Sequence, residues 1–469
     1  MGTVTSQRWQ NQEEAFQFAM SHPACMLDME MGTGKTRVAI DVAFARENNH
    51  RVLVVCPKAV VPVWRENLEK FGPSAAAEWE CWDLQKGTVK SKAADLEKWL
   101  KRVAKHQFVI INYDSVWRAP MGDLILKAGF NTVILDESHR AKAAGSKVSK
   151  YLAMLGKRNV IYKMCLSGTP MANSPLDIYG QYRFLDPTIF GTNHYLFLQE
   201  YAIMGGPDHN FVVGYKNQKA LNDKFKKLAY TCKMSDIADK IKLPPALPPT
   251  KRLVQLPSAD MKTSKELTKD FIAECSTGGN IVVKNVLGKI LRLQQIAAGF
   301  CFVQDTPFDE AEVHELNTAK EDALADMLTD ISPTSPVVVF CVFKHDLVAV
   351  ARAAAKAKRE AFELSGAANQ LKEWKASNGG VFAVQIQAGA EGIDMTNANH
   401  AVYFSVPHSL ALYNQSKARL YRPNQTRPVS FCHLLAEGTI DEAMYKSLLK
   451  KEDVIDAIKT GTFDFGYVK

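Results

Sequence analysis

MGTGKT at residues 31–36 decides the fold, and it stands between an apolar run, ACMLDME at 24–30, and a helical pattern that follows Thr36. Glycines let backbone amides approach and wrap phosphate groups, and a helix N-terminus adds positive potential. Lys35 would contact the β- and γ-phosphates of a nucleotide, and the Thr36 hydroxyl would bind magnesium. The full eight-residue pattern has glycine at position 29, where this chain has Met29. The alternative interpretation is a glycine-rich turn with a solvated lysine.

A second motif, TVILDESH at 132–139, is an apolar strand that ends in two acids. The carboxyl end of a strand in a doubly wound sheet is a usual place for a binding site. We expect Asp136 to hold magnesium and Glu137 to accept a proton from the attacking water. A salt-bridged pair at the strand end is the alternative. The phosphate loop on another strand of the same predicted sheet argues against it.

Short apolar strands and helical segments alternate twice along the chain. The first series of predicted strands lies at 24–30, 51–56, 108–112, 132–136 and 160–167. The second series lies at 337–343, 362–364, 381–386, 400–405 and 429–435. A helix is predicted at 347–361, within the second series. Strands that alternate with helices predict βαβ units, and therefore an α/β fold with two doubly wound parallel sheets.

A less regular region, roughly 192–330, separates the two series, and a proline cluster, KLPPALPPTKR, lies within it at 242–252. Proline-rich composition is typical of an extended connector. We therefore predict one domain at 1–245, with a helical insertion at about 192–240, and a second at 246–469, with a helical segment at about 262–298. The stretch 216–240 is expected to be helical.

Composition restricts the class of protein only loosely. The 469 residues are 46% hydrophobic and 23% charged, which is ordinary for a soluble globular protein. The net charge of +8 favours a polyanionic partner without requiring one. Nine cysteines without a CxxC pair predict free thiols in a reducing compartment and no zinc finger. The apolar run at 337–343 is too short to span a bilayer, so we expect a soluble cytoplasmic protein with no membrane partner.

In chain order, the motifs of the first half resemble superfamily 2 helicases, and within them the Swi/Snf-type DNA translocases of compact phage or bacterial type. The resemblance rests on QNQEEAF at 10–16, MGTGKT, CPK at 56–58 with a downstream Trp64, VIINYDS at 109–115, DESH in place of DEAH, and LSGTPMANSPLDIYGQYRFLDPTIFG at 166–191. The last and longest of these matches favours the Swi/Snf branch over other helicases.

The second half continues the resemblance. VVVFCVFKHDL at 337–347, QAGAEGIDMTNANHAVYF at 387–404, QSKARLYRPNQ at 415–425 and GTIDEAMY at 438–445 resemble the remaining helicase motifs. Gln387, where the family often has a hydroxyl residue, and GIDM at 392–395 depart from the common pattern. These departures concern the DNA contacts rather than ATP hydrolysis.

The resemblance implies two RecA-like lobes that use ATP and Mg²⁺, with ATP in the cleft between them. Arg419 and Arg422 are three residues apart, which predicts a shared helix face. Two guanidiniums there would stabilise charge on the γ-phosphate, whereas a solvated basic face is the alternative. The implied catalytic residues are Lys35, Asp136, Glu137, Arg419 and Arg422, and the implied metal ligands are Thr36 and Asp136. The implied nucleotide contacts are Gln12, Gly32, Thr33, Gly34, Lys35, Thr36, Gly392, Asp394 and Gln415.

The partner implied by the resemblance is double-stranded DNA, with branched or single-stranded DNA as further candidates, bound by a monomer. Candidate DNA contacts are Lys58, Asn112, Gly168, Thr169, Lys344, Ala388 and Gly389, although each residue alone could be an ordinary loop residue. Trp64 and Phe300 could stack on bases, but core packing is the better explanation. Three alternatives stay open: a strand-separating or branch-migration helicase, an RNA helicase, and a scaffold without catalytic activity.

Overall fold

The computed structural model describes residues 7–46, 50–73, 78–83, 87–158, 160–171, 174–205, 211–276, 283–303, 312–389 and 393–450. They form two compact units that divide between Ile241 and Lys242, beside the proline cluster. None of the helices in these ranges is long and apolar enough to cross a membrane.

Within the described residues, the first unit is built on a parallel sheet. Its strands are β1 (Ala24–Met29), β2 (Arg51–Cys56), β3 (Trp79–Asp83), β4 (His106–Asn112), β5 (Thr132–Asp136), β6 (Tyr162–Ser167), β7 (Ala202–Gly205), β8 (Phe211–Tyr215) and β9 (Ala229–Cys232). Seven of them pair in the order β3-β4-β2-β5-β6-β1-β9, all in parallel, while β7 and β8 form a separate antiparallel hairpin.

The helices of the first unit are α1 (Gln10–Ser21), α2 (Lys35–Ala45), α3 (Val61–Phe71), α4 (Val89–Trp99), α5 (Tyr113–Val116), α6 (Met121–Lys127), α7 (Lys147–Gly156), α8 (Ile178–Leu185), α9 (Pro187–Phe190), α10 (His194–Tyr201) and α11 (Gln218–Lys226). The prediction that 216–240 is helical is wrong beyond Lys226. β9 follows α11 and pairs with β1 in the main sheet. β9 has four residues and lies at a sheet edge, so it is too short to show a clear alternation of apolar residues. The five-residue strand β3, which was also not predicted, lies at the opposite edge.

The second unit repeats the architecture. Its strands are β10 (Thr250–Val254), β11 (Phe300–Val303), β12 (Glu312–Glu315), β13 (Val337–Cys341), β14 (Ala361–Leu364), β15 (Val381–Gln385), β16 (His400–Tyr403) and β17 (Ser430–Ala436). Its helices are α12 (Ser258–Ser276), α13 (Val283–Ala297), α14 (Ala319–Asp330), α15 (Lys344–Lys356), α16 (Leu371–Ala376), α17 (Ile386–Gly389), α18 (Leu410–Leu420) and α19 (Ile440–Leu449). The parallel sheet has the order β10-β17-β16-β13-β15-β14, and β11 pairs with β12 in an antiparallel hairpin.

The central strand of the second sheet shows how the unit is layered. Val338 and Phe340 belong to one buried cluster, whereas Val337, Val339 and Cys341 belong to another. Successive side chains of a strand point to opposite faces, so this sheet is buried on both faces. The predicted fold class, two RecA-like α/β lobes with parallel sheets, is confirmed.

Candidate functional site

The phosphate loop connects β1 to the N-terminus of α2, where Lys35 is the first helical residue. Gly32 and Gly34 have φ values of 84° and 95°, which favour glycine. A Cβ atom at Gly34 would also lie 2.2 Å from Nε2 of Gln12, so a side chain there would displace the Gln12 amide. The left-handed backbone is therefore the main reason for glycine at position 34, and the position of Gln12 depends on it as well.

Helix α1 holds the loop from one side. The Asn11 amide donates to the carbonyl oxygen of Thr33 at 3.0 Å, and Oε1 of Gln12 accepts the backbone N–H of Trp9 at 3.1 Å. Asp41 on α2 bridges Arg8, at 2.7 Å, and Arg37, at 2.8 Å. These bonds fix Gln12 beside the phosphate loop.

The two acids lie at the carboxyl end of β5, which pairs with β2 on one side and β6 on the other. Asp136 is 4% exposed, and its Oδ2 accepts the indole N–H of Trp64 at 2.7 Å. Its Oδ1 accepts the backbone N–H of Glu137 at 3.0 Å, and its carbonyl oxygen accepts the Tyr113 hydroxyl at 2.9 Å. Glu137 itself has φ 51°, a left-handed conformation that turns the chain sharply after the strand.

The electrostatics of this strand end suit a divalent cation. Burial raises the pKa of Asp136 to about 6, and the neighbouring Glu137 charge adds to the increase, while Lys35 opposes it. Oε2 of Glu137 is buried without a hydrogen bond and lies 3.5 Å from Nδ1 of His139. A buried acid and a half-buried acid, with one carboxylate oxygen unpaired, fit a site where Mg²⁺ would supply the missing positive charge.

The residues after DE connect the acids to the next strand. His139 Nδ1 lies 3.2 Å from the Ser167 hydroxyl, and that hydroxyl accepts the Thr169 N–H at 3.1 Å. Burial lowers the pKa of His139, which favours the neutral ring. The Ser138 hydroxyl donates to Oε1 of Gln181 at 2.6 Å. The side-chain amide N–H of Gln181 in turn donates to the Pro170 carbonyl at 2.8 Å. Hydrogen bonds from both Ser138 and His139 thus reach the SGTP segment.

In the second unit, Gln415 and Arg419 lie on α18, and both are buried. The predicted helix face shared by Arg419 and Arg422 is wrong, because α18 ends at Leu420 and Arg422 follows it. Arg422 donates to the Ile393 carbonyl at 3.3 Å, and its charge helps to lower the pKa of Asp394, whose oxygen accepts the Thr396 N–H and hydroxyl. Gly392 lies outside the described residues.

Gln425, the last residue of the QxxxRxxRxxQ pattern, has a structural explanation. Its amide donates to the carbonyls of Ala398, at 2.8 Å, and of Leu420, at 3.2 Å. It therefore ties the end of α18 to the segment that contains Asp394.

The candidate DNA contacts of the first unit lie at or just after the carboxyl ends of β2, β4 and β6, which are parallel and so end at the same sheet edge. Lys58 is exposed in a 3₁₀ turn at Lys58–Val60. Asn112 is 4% exposed with an Oδ1 that has no hydrogen bond. A Cβ at Gly168 would lie 3.2 Å from the Met31 N–H nitrogen, so this glycine packs on the phosphate loop.

In the second unit, Lys344 is exposed at the start of α15. Ala388 and Gly389 lie in α17, and a Cβ at Gly389 would lie 2.3 Å from Val384 Cγ1, which gives this glycine a packing role. The structure thus leaves the lysines free to approach a polyanion and explains two of the glycines by packing.

Two stretches of the sequence match known protein families. Residues 5–299 match the SNF2-related domain. The chain belongs to the SNF2-related family. Residues 319–424 match the helicase conserved C-terminal domain, and together the two matches confirm the predicted Swi/Snf-type resemblance.

Several curated proteins are similar over most of this chain. A chromodomain-helicase-DNA-binding protein 1-like of Danio rerio is 25% identical over 92% of this chain and 42% of its own length. The DNA annealing helicase and endonuclease ZRANB3 of Bos taurus is 24% identical over 96% of this chain and 40% of its own length. An uncharacterized ATP-dependent helicase of Mycoplasma genitalium is 22% identical over 94% of this chain and 40% of its own length. The chain spans about two fifths of the length of these relatives.

One solved structure is also similar, the Sulfolobus solfataricus SWI2/SNF2 ATPase core in complex with dsDNA. It is 19% identical, with a TM-score of 0.45, and covers 98% of this chain and 94% of its own.

Sequence reasoning on this SNF2-related chain missed three groups that support the site. They are the Asn11 amide, the Tyr113 hydroxyl and the Trp64 indole N–H. Asn11 and Tyr113 stand next to Gln12 and Asn112 in motifs assigned to those neighbours, and Trp64 was expected to pack in the core. For Trp64 and Tyr113 the available signal was a polar atom on an otherwise apolar buried residue, since such an atom needs a partner.

Proposed function

We propose that this chain is a DNA-dependent ATPase that moves along double-stranded DNA and remodels or displaces what is bound there. The observation that carries the ATPase part of the proposal is the arrangement around β5. Asp136 ends this strand, Glu137 follows it, and Lys35 is close enough to lower the pKa of Asp136. A lysine at a helix N-terminus beside two acids is the arrangement that phosphoryl transfer requires.

For ATP hydrolysis, the backbone at Gly32, Thr33 and Gly34 wraps the phosphates, and Lys35 neutralises their charge. Thr36 and Asp136 would hold magnesium, which when bound would supply positive charge to the phosphates. Glu137 accepts the proton of the attacking water through its unpaired Oε2. Gln12, fixed beside Gly34, contacts the base.

We further propose that Arg419 and Arg422 act on the nucleotide held by the first unit, and that Gln415, Asp394 and Gly392 also contact the nucleotide. Guanidiniums stabilise the charge that develops on the γ-phosphate. Asp394 holds Arg422 electrostatically, and Gln425 keeps both segments together. Intact acidic and basic residues at all these positions argue against a scaffold without catalytic activity.

The proposed track is duplex DNA, gripped without sequence preference through its phosphates. Lys58 and Lys344 are exposed and would contact phosphate oxygens. Asn112, whose Oδ1 has no hydrogen bond, and Thr169, whose Oγ1 is likewise unpaired, would contribute polar contacts, with the backbone at Gly168, Ala388 and Gly389. We propose that the chain acts as a compact motor of the phage or bacterial type.

A triplex-displacement assay beside a forked-duplex unwinding assay tests the track. Displacement of the third strand without separation of the fork is the expected result. Efficient fork unwinding would favour the strand-separating or branch-migration helicase. ATPase stimulation by RNA and not by duplex DNA would favour an RNA helicase.

A further inference from the structure

The side chain of Trp64 reaches the carboxylate that we assign to magnesium. Trp64 lies on α3, is fully buried and donates its indole N–H to Oδ2 of Asp136 at 2.7 Å. A fully buried indole has no face to offer a base, so the stacking alternative fails. An indole has one N–H, and here it is committed to a carboxylate oxygen.

The other bonds of Asp136 show what Trp64 adds. Oδ1 accepts the N–H of the adjacent Glu137, and Tyr113 holds the backbone carbonyl. The Tyr113 bond fixes the strand end, and the Glu137 bond restrains the carboxylate only from an adjacent backbone atom. The hydrogen bond from Trp64 is the contact that a distant side chain makes with this carboxylate, and together with the bond at Oδ1 it restrains rotation about the side-chain bonds.

We propose that Trp64 is a positioning residue for the metal site, because its indole N–H holds the Asp136 carboxylate in the orientation that binds magnesium. This inference rests on the proposed function, since it assumes that Asp136 is a metal ligand. Groups that orient metal ligands typically change metal affinity by about 10- to 100-fold when they are removed. Trp64→Phe keeps an apolar ring and removes the donor.

The chain offers a matched control. Trp82 on β3 is 5% exposed and donates its indole N–H to Oδ2 of Asp95 on α4, also at 2.7 Å. Trp82→Phe removes a bond of the same type and length from the same unit. Asp95 has no part in the metal site, so the metal affinity should not change.

The experiment measures Mn²⁺ binding to the full chain with saturating non-hydrolysable ATP analogue, following free Mn²⁺ by electron paramagnetic resonance. Wild type, Trp64→Phe, Trp82→Phe and Asp136→Asn are compared, and affinity for the analogue in EDTA is measured in parallel. We expect Trp64→Phe to weaken Mn²⁺ binding about tenfold, with unchanged metal-free nucleotide affinity. Trp82→Phe should stay within about twofold of wild type, as expected for a site that Trp82 does not touch.

The possible outcomes are distinct. Wild-type Mn²⁺ affinity in Trp64→Phe, together with a loss in Asp136→Asn, would leave Trp64 as a core residue and overturn the inference alone. Unchanged Mn²⁺ affinity in Asp136→Asn would instead overturn the metal assignment of the proposed function. If Trp64→Phe does not fold, benzothienylalanine at position 64 keeps the bicyclic shape and replaces N–H with sulfur. Wild-type Mn²⁺ binding by that variant would equally overturn the proposal.

Discussion

Glu137→Gln replaces one carboxylate oxygen with an amide and leaves the shape of the side chain unchanged. Because Oε2 of Glu137 has no hydrogen bond, the substitution breaks none at that atom. Folding stability should therefore change by less than about 1 kcal/mol. The Glu137 charge raises the pKa of Asp136, so its removal favours the ionised Asp136. Nucleotide and metal binding should persist.

Turnover should fall much further than binding. A general base contributes about 10²- to 10⁴-fold, which corresponds to roughly 3–5 kcal/mol in the activation barrier. The assay is steady-state ATP hydrolysis with saturating duplex DNA, beside a fluorescence titration of nucleotide affinity. The control is Glu30→Gln, since Oε2 of Glu30 accepts the Met234 N–H at 2.7 Å and an amide oxygen can replace it. Turnover by Glu137→Gln above about a tenth of the wild-type rate would refute the assignment of Glu137 as the base. A loss of less than about tenfold is smaller than the smallest contribution that a general base makes.

Other substitutions test further parts of the account. Lys320→Met breaks a fully buried 2.5 Å ion pair with Asp441 and should cost about 3–5 kcal/mol of unfolding free energy in urea, whereas Arg252→Met, at an exposed pair, should cost less than about 1 kcal/mol. Equal losses would contradict the difference in burial. Gly34→Ala should weaken nucleotide binding in a fluorescence titration, because alanine is strained at a φ of 95° and its Cβ would displace the Gln12 amide. Wild-type affinity in this variant would contradict the proposed role of the loop in binding. Arg422→Ala should lower turnover by about a thousandfold with little loss of nucleotide affinity, and a large affinity loss with unchanged turnover would exclude the proposed role of Arg422 at the γ-phosphate. Burial lowers the pKa of His433 to about 4, below its value in the unfolded chain, so its contribution to stability is complete near neutral pH and is lost as pH falls toward 4. The free energy of unfolding in urea, measured at pH 7 and pH 5, should depend less on pH in His433→Phe than in the wild type, by up to about 1.4 kcal/mol per pH unit. The same pH dependence in both proteins would contradict this assignment.

The sequence predicted the central strands of both sheets, because buried parallel strands are continuous apolar runs bounded by polar residues. β5 and β13 are examples, and all their residues are buried. The short edge strands β3, β9 and β10 were missed. Their partly exposed residues carry a weaker pattern, and β9 depends on pairing with β1, a contact far away in sequence.

The phosphate loop and the two acids could be located from spacing alone, since glycines and strand ends impose local chemistry. What the sequence could not give was the hydrogen bonding that orients them. The bond from Trp64 to Asp136 joins residues 72 positions apart. Likewise, the end of α18 at Leu420 depends on Gln425 and on carbonyls of a preceding segment, so residue spacing alone placed Arg422 on the wrong element.

The most direct test of the central claim is ATP hydrolysis by the full chain with and without duplex DNA, with Lys35→Ala as the matched inactive variant. The account predicts slow hydrolysis alone, strong stimulation by duplex DNA, and loss of both in Lys35→Ala while the variant still binds DNA. Hydrolysis that does not respond to duplex DNA, or that survives in Lys35→Ala, would contradict it.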